Sequence, residues 1–141
     1  MSNTSIYKDV LMDHYRNPRN RGDLTDAQIV RRGSNPRCGD DIEVGVNFTN
    51  EILDKVMFRG RGCSVCLASA SMMTETVSGK SKAEAHQLVE GMRTWFAAKS
   101  ATSNDSPADN LQALDAVRTH PARKRCVMLA WEALDDALRT E

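Results

Sequence analysis

The sequence has no long hydrophobic run, no net charge and no recognisable secretory leader. Its longest purely hydrophobic stretch is the six residues 126–131, whereas a helix that spans a bilayer needs about 20. Residues 1–5 have neither a basic region nor an apolar segment. The 19 basic and 19 acidic residues cancel, so overall charge does not attract the protein to nucleic acid or to an anionic membrane. These absences predict a cytoplasmic protein that binds neither.

Cysteine is sparse as well, with four in 141 residues. A chain of this length buries about two-thirds of its unfolded surface when it folds, so it does not need disulfides to be stable. We therefore expect a single domain over residues 1–141. In a reducing cytosol, four cysteines favour a metal site or reactive thiols over two disulfides.

The spacing of apolar residues predicts an α+β fold. A helical pattern of about three turns begins after Thr4 or Ser5 and stops before Pro18, and the basic stretch 16–22 is expected to form a surface loop. Apolar residues alternate strictly over 41–49, which predicts a strand. A tight turn at residues 50–51 and two flanking segments of β character complete a three-stranded antiparallel sheet: 28–32 and 52–58.

Helical patterns return after the sheet. We expect a helix rich in small residues that ends near Gly79, and another that begins at the capping box of Ser81 and Glu84. A short helix ending at Val117 precedes a last helix that begins near Pro121. With a helix at each end of the chain, the helices must cover one face of the three-stranded sheet.

Three of the cysteines lie where these elements begin or end. Cys38 lies in a loop before the alternating strand, Cys63 follows the last strand, and Cys126 lies in the early turns of the last helix. Together with Asp40 they offer three thiolates and one carboxylate, a four-ligand set for tetrahedral zinc. Cys126 is one position before the apolar stripe of its helix, so we expect it beside that stripe, where it can face a site at the rim of the fold.

Each of these residues also has a plainer interpretation. Free cysteine is among the most often buried residue types, and Asp40 can cap a turn. Cys66 has three readings: a fourth thiol ligand, a redox partner of Cys63, or a small helix residue. Flanking arginines and helix N-termini are expected to lower the thiol pKa values. The three histidines show no ligand spacing to one another and are expected to be surface or half-buried residues: His14, His86 and His120.

Two blocks of the sequence resemble the IscU/SufU family of iron-sulfur cluster assembly proteins, namely Asn35-Pro36-Arg37-Cys38-Gly39-Asp40 and Gly62-Cys63-Ser64-Val65-Cys66. The likeness extends to residues 13–22 and to the Arg125-Cys126 segment, so it covers nearly the whole chain. The resemblance implies an α+β scaffold that binds zinc or a transient [2Fe-2S] cluster and takes sulfur from a cysteine desulfurase. The implied zinc ligands are Cys38, Asp40, Cys63 and Cys126, and the three cysteines of this set would hold the cluster.

Two features resemble the SufU branch of the family. The IscU branch carries a Leu-Pro-Pro-Val-Lys segment recognised by an Hsp70-type chaperone, and a histidine just before the third cysteine. This chain instead has His120-Pro-Ala-Arg-Lys-Arg125 there, so recruitment of that chaperone is not implied. The segment between Gly79 and His120 also looks longer than in the IscU branch.

The SufU branch implies a zinc-bound sulfur carrier. Cys38 would accept persulfide sulfur from a SufS-like pyridoxal-phosphate desulfurase and pass it to apo iron-sulfur proteins or downstream assembly factors. Any enzymatic role would then be that of a zinc-dependent sulfurtransferase partner.

Other functions stay open at this point. The same thiolates would serve a scaffold on which a [2Fe-2S] cluster is assembled and transferred, and a zinc-stabilised interaction module without chemistry would need only the metal. A thioredoxin-like redox function of Cys63 and Cys66 would leave Cys38 and Cys126 unexplained. The predicted fold also lacks the parallel βαβ unit expected for that function. A zinc hydrolase is disfavoured because no Glu or His is placed by a motif as general base.

Overall fold

The computed structural model describes residues 2–36, 39–97 and 106–140. Within these ranges the predicted α+β fold, with helices at both ends, is confirmed. Among the described residues, no helix is both long enough and apolar enough to cross a membrane. The elements follow one another as α1 (Ser2–Arg16), β1 (Ile29–Asn35), β2 (Asp40–Thr49), β3 (Ile52–Arg61), α2 (Ser64–Val77), α3 (Lys82–Ala97), a 3₁₀ helix (Asp109–Thr119) and α4 (Pro121–Thr140).

The three strands form an antiparallel sheet in the order β1-β2-β3. The β2–β3 hairpin turns at Asn50 and Glu51, whose φ angles of 50° and 70° suit a type I′ turn, the type that matches the twist of the flanking strands. In the register, Asp40 pairs with Asn35 and the neighbouring Asp41 pairs with Arg61. The beginning of β2 and the end of β3 therefore lie at the same end of the sheet.

Helices α2 and α4 pack against one face of this sheet and enclose the core. All residues of 66–74 in α2 are buried, and Trp131 of α4 is completely buried. Burying a large apolar side chain stabilises a fold by about 1.5–3 kcal/mol, so this layer accounts for much of the folding free energy. Of the four alternating apolar residues of β2, three are completely buried and Phe48 is half-buried; the three are Ile42, Val44 and Val46.

The basic stretch 16–22 forms a surface loop that is attached to β3 by two backbone hydrogen bonds. The backbone N–H of Phe58 donates to the carbonyl oxygen of Asn20 at 3.0 Å, and the N–H of Gly22 donates to the carbonyl oxygen of Phe58 at 3.0 Å. Arg21 thus forms a parallel bridge with β3. The stretch is still an irregular surface loop, as predicted, but it is attached to a strand far along the chain, which the sequence did not reveal.

Candidate metal centre

Three of the four predicted ligands meet at one end of the sheet. Asp40 is the first residue of β2, Cys63 is the N-cap of α2, and Cys126 lies in the second turn of α4. One ligand atom from each residue lies within 4.8 Å of the other two. Cys38, the fourth predicted ligand, lies outside the described residues. The fold therefore brings together a carboxylate and two thiols from three elements that are distant in sequence.

Asp40 is held in place by a backbone hydrogen bond and is almost completely buried. The N–H of Cys63 donates to Asp40 Oδ1 at 3.0 Å, and the residue is only 2% exposed. Its second oxygen, Oδ2, is buried and has no hydrogen-bond partner in the part of the chain that the structure describes. A buried carboxylate oxygen without a partner is unfavourable, so this atom is available to a ligand.

Cys126 is more buried than the sequence suggested. It is 2% exposed, and its thiol lies 3.7 Å from the carbonyl oxygen of Ala122, to which it donates. The spacing of the sequence did not reveal this burial, although the thiol does face the other ligand candidates Asp40 and Cys63.

The thiol of Cys126 is also less acidic than expected. Burial raises its pKa above the ordinary value, and the neighbouring Asp40 and Cys63 raise that pKa further. The basic side chains that precede it do not offset this effect, because Arg123 and Arg125 are exposed to solvent whereas the thiol faces a buried carboxylate. The expectation that basic neighbours lower the thiol pKa was wrong for Cys126.

This donor set fits a divalent cation such as zinc. It contains two sulfur ligands and a carboxylate oxygen within 4.8 Å of one another, a combination that zinc accepts. Asp40 Oδ2 has no hydrogen bond among the described residues, and the pKa of the Cys126 thiol is raised. Both follow from one cause, because a negative charge on either buried group has no positive charge beside it in the described part of the chain. A cation bound there would remove both penalties.

Cys66 lies directly behind this group. It is completely buried in the first turn of α2, and a methyl group at Gly62 would approach its Sγ to 2.9 Å and Asp40 Oδ1 to 3.0 Å. Among the described residues, the group whose ligand atoms lie within 4.8 Å does not include Cys66. Its role as an additional thiol stays a prediction.

A buried serine holds together the two helices that carry the thiols. The hydroxyl of Ser69 in α2 donates to the carbonyl oxygen of Val127 in α4 at 2.8 Å, and it accepts a hydrogen bond from Trp131 Nε1 at 3.2 Å. These contacts lie just below the metal-binding end of both helices. They limit how far Cys63 and Cys126 can move apart.

A groove lies next to the candidate metal centre. Its volume is about 290 Å³, and its walls come from the end of β1, including Asn35 and Pro36, and from Arg125 and Met128 of α4. Asn35 pairs with Asp40, and Arg125 directly precedes Cys126 in sequence. The groove therefore gives a partner an approach to the edge of the centre.

His14 is buried, so the expectation of a surface or half-buried histidine was wrong at this position. It is only 6% exposed, and its Nδ1 lies 2.8 Å from Ser71 Oγ in α2. The same Ser71 oxygen accepts a hydrogen bond from the backbone N–H of Arg19 at 2.8 Å. Burial lowers the pKa of His14, and the charge of Arg19 lowers it further. The spacing of the histidines in the sequence carries no information about this contact with Ser71. The one sequence feature that drew attention to the segment was the likeness of residues 13–22 to the family.

Known proteins resemble the chain over nearly its whole length. It is 36% identical over 137 residues to the zinc-dependent sulfurtransferase SufU of Bacillus subtilis strain 168. This alignment covers 97% of the present chain and 92% of the relative. It is 34% identical to the iron-sulfur cluster assembly scaffold protein IscU of Streptococcus pyogenes serotype M1. That alignment covers 95% of the present chain and 83% of the relative.

Solved structures agree with the architecture. A crystal structure from Fervidobacterium islandicum AW-1, described as a candidate iron-sulfur cluster assembly scaffold protein for the SUF system, superposes with a TM-score of 0.84 at 28% identity. The match covers 95% of this chain and 97% of the other. The family described as the NifU-like N-terminal domain matches residues 6–92. Sequence, fold and donor set therefore lead to one assignment: the chain belongs to the NifU-like N-terminal domain family, with SufU and IscU proteins among its relatives.

Proposed function

We propose that this protein works in iron-sulfur cluster assembly as a zinc-binding acceptor of persulfide sulfur from a cysteine desulfurase. The observation that carries the proposal is the meeting of Asp40, Cys63 and Cys126 within 4.8 Å. Core packing alone does not require a carboxylate beside two thiols. The name of the Bacillus subtilis relative, a zinc-dependent sulfurtransferase, supports the same chemistry.

The proposed zinc ligands are Asp40, Cys63 and Cys126, with Cys38 as the fourth. Zinc bound there would keep its cysteine ligands deprotonated at neutral pH. The backbone N–H of Cys63 fixes Asp40 Oδ1 and so leaves Oδ2 for the ion. A carboxylate among thiolates favours a site that exchanges its ligands more readily than a closed site of four thiolates.

The proposed sulfur acceptor is Cys38. Its thiolate attacks the outer sulfur of the persulfide on the desulfurase, and a new S–S bond forms on Cys38 as the S–S bond of the donor breaks. The donor cysteine leaves as a thiolate, so the transfer consumes neither oxidant nor reductant. Support comes from the place of Cys38 in the chain: the N–H of Gly39 donates to the carbonyl oxygen of Asn35 at 3.0 Å, and the φ of Gly39 is 74°, which glycine adopts without strain.

The proposed partner is a SufS-like pyridoxal-phosphate enzyme in the cytoplasm, and the proposed recipients are apo iron-sulfur proteins or downstream assembly factors. The groove of about 290 Å³ between the end of β1 and Arg125 would accept part of the desulfurase. Arg61 and Arg123 are exposed close to the ligands in sequence, and such charges speed the approach of an acidic surface.

The experiment is a sulfur-transfer assay on the intact protein. The zinc-loaded chain is mixed with a cysteine desulfurase and L-cysteine, and persulfides are trapped by alkylation and counted by intact mass. We expect one additional sulfur atom on the wild type, none on Cys38→Ala, and the wild-type amount on Cys66→Ser. Full sulfur acceptance by Cys38→Ala would rule out the assigned acceptor.

A second candidate function is scaffolding of a [2Fe-2S] cluster on Cys38, Cys63 and Cys126, since the 34% identical Streptococcus pyogenes relative is named a scaffold. Iron and sulfide would then be the substrates. Anaerobic reconstitution should give a cluster absorption spectrum that an apo-ferredoxin takes over. Zinc that iron does not displace favours the sulfur carrier instead.

A further inference from the structure

A second group of metal-competent side chains lies on the outer side of α3 and α4. His86 and Glu90 are one helical turn apart on α3, and Asp135 faces them from α4. One ligand atom from each lies within 4.8 Å of the other two. Asp135 is nine residues beyond Cys126 in α4, roughly 13 Å at 1.5 Å per residue. This group, called here the α3–α4 cluster, is therefore separate from the candidate metal centre.

Asp135 is buried, and one of its oxygens has an ion-pair contact but no hydrogen bond in the described part of the chain. The residue is 1% exposed, and its Oδ2 accepts a hydrogen bond from Arg93 Nη2 at 2.9 Å. Its Oδ1 has no hydrogen bond within the described ranges, although it faces His86 Nδ1. A native fold rarely buries a carboxylate oxygen in this state, so Oδ1 points to a missing ligand.

The distance between these two atoms suits a metal better than a hydrogen bond. His86 Nδ1 and Asp135 Oδ1 are 3.5 Å apart, which is longer than a normal N–H···O bond of about 2.7–3.2 Å. Two ligands of one tetrahedral zinc, each about 2.0–2.1 Å from the ion, are roughly 3.3–3.5 Å apart. The observed separation therefore leaves room for an ion between nitrogen and oxygen.

Arg93 orients the carboxylates of the cluster from behind. Its guanidinium contacts Glu90 Oε2, Glu132 Oε1 and Asp135 Oδ2. Hydrogen bonds of this kind to the outer oxygens of ligating carboxylates are common around protein metal sites. Arg139 is 3.7 Å from Asp135, so three carboxylates face two guanidinium groups. One net negative charge is left to favour a cation.

We propose that His86, Glu90 and Asp135 form a second divalent-cation site that links α3 to α4. One imidazole nitrogen and two carboxylate oxygens suit zinc and the neighbouring ions cobalt and nickel, whereas magnesium and calcium prefer oxygen ligands alone. The site does not depend on the sulfur-carrier function, because it shares no residue with the candidate metal centre. Its consequence is that the intact protein binds one more zinc ion than that centre accounts for.

Zinc stoichiometry tests the proposal. The metal-free, reduced, full-length protein is titrated with zinc by calorimetry, and wild type is compared with His86→Ala. The side chain of His86 is 53% exposed, so its removal should leave the metal-free unfolding temperature unchanged. His120→Ala, which removes another exposed histidine, is the matched control. We expect His86→Ala to bind one equivalent fewer than wild type and His120→Ala to bind the wild-type number.

Cobalt shows which site has been lost. Thiolate ligands give cobalt an intense charge-transfer absorption that nitrogen and oxygen ligands do not. We expect His86→Ala to keep the full wild-type charge-transfer intensity while binding one cobalt fewer. Equal stoichiometry in His86→Ala and wild type would overturn the proposal and leave the α3–α4 cluster as an ion-pair network. Loss of charge-transfer intensity in His86→Ala would overturn it too, because the lost ion would then have come from the thiol site.

Discussion

Gly62 lies between two side chains of the candidate centre's surroundings, the carboxylate of Asp40 and the thiol of Cys66. The residue lies between the end of β3 and the N-cap Cys63, and the space next to its Cα is bounded by Asp40 Oδ1 and Cys66 Sγ. Glycine is required here for lack of room and not for backbone conformation. The position thus sets how closely the carboxylate can approach Cys63.

The first prediction is that Gly62→Ala weakens zinc binding. The added methyl group would lie 2.9 Å from Cys66 Sγ and 3.0 Å from Asp40 Oδ1, so the ligand carboxylate must shift. We expect zinc affinity to fall by roughly 10–100-fold, the range for changes that misorient a metal ligand. Overpacking should also lower the free energy of unfolding by about 1–3 kcal/mol. Competition with a chromophoric zinc chelator measures the first effect.

Gly79→Ala separates the effect on the site from the effect on stability. Gly79 has a φ of 86° with open space around it, so alanine there strains the backbone without touching the candidate centre. It should lower the unfolding temperature and leave zinc affinity unchanged. A Gly62→Ala protein with wild-type zinc affinity would contradict the prediction.

At the scale of the elements, α1 is attached to α2 through a buried polar junction. His14 Nδ1 and the backbone N–H of Arg19 both meet Ser71 Oγ. The hydroxyl of Thr74, one turn further along α2, lies 3.1 Å from Asn20 Nδ2, from which it accepts a hydrogen bond. Small polar residues on a buried helix are acceptable here because each hydroxyl has a partner.

The second prediction concerns the pH dependence of this junction. The pKa of His14 is lowered by burial and then by Arg19, against smaller opposing effects of Glu75 and Asp13. In the unfolded chain a histidine titrates near 6.5, so below about that pH the unfolded state binds more protons than the native state. Stability should therefore fall as the pH drops from about 7 to 5, with a slope from this group of at most about 1.4 kcal/mol per pH unit.

His14→Asn isolates the contribution of His14. Asparagine retains a polar group that reaches Ser71 but does not titrate in this range. Thermal unfolding of both proteins from pH 8 to pH 5 should show the wild type losing stability relative to the variant as the pH falls. A difference in melting temperature that stays constant over the range would show that His14 does not titrate between the two states.

At the scale of the whole molecule, the candidate metal centre joins β2, the β3–α2 junction and α4. These segments are distant in sequence, so an ion bound to all three opposes any opening that separates them. Ser69 reinforces the same contact by bonding Val127 and Trp131. Metal binding and the packing of α2 on α4 are therefore expected to be coupled.

The third prediction is that chelation of the metal destabilises the native state. A ligand at 100 times its dissociation constant contributes about 2.7 kcal/mol, which corresponds to roughly 5–10 °C in melting temperature for a protein of this size. Hydrogen exchange should accelerate after chelation at residues 39–41, 62–64 and 122–127, while the central sheet residues 42–46 stay protected. Added zinc should restore both. An unchanged melting temperature would show that no metal is bound in these elements.

The order of helices and strands was predictable from the sequence because periodicity and capping are local properties. The alternation in β2 predicted the buried positions of Ile42, Val44 and Val46, although Phe48 at the end of the pattern is only half-buried. The capping box was confirmed by reciprocal hydrogen bonds, from Ser81 N to Glu84 Oε1 at 3.0 Å and from Glu84 N to Ser81 Oγ at 3.1 Å. Only the immediate neighbours of a residue decide such features.

The sequence by itself determined the α+β fold and the residue types available for a metal, including Asp40, Cys63 and Cys126. Only the tertiary structure decided how close those three lie and how deeply Cys126 is buried. It also decided that His14 meets Ser71, and that Asp135 faces His86 from another helix. The physical reason is that burial and the electrostatic environment of a side chain depend on elements that pack against it from distant parts of the chain, and periodicity does not encode those contacts.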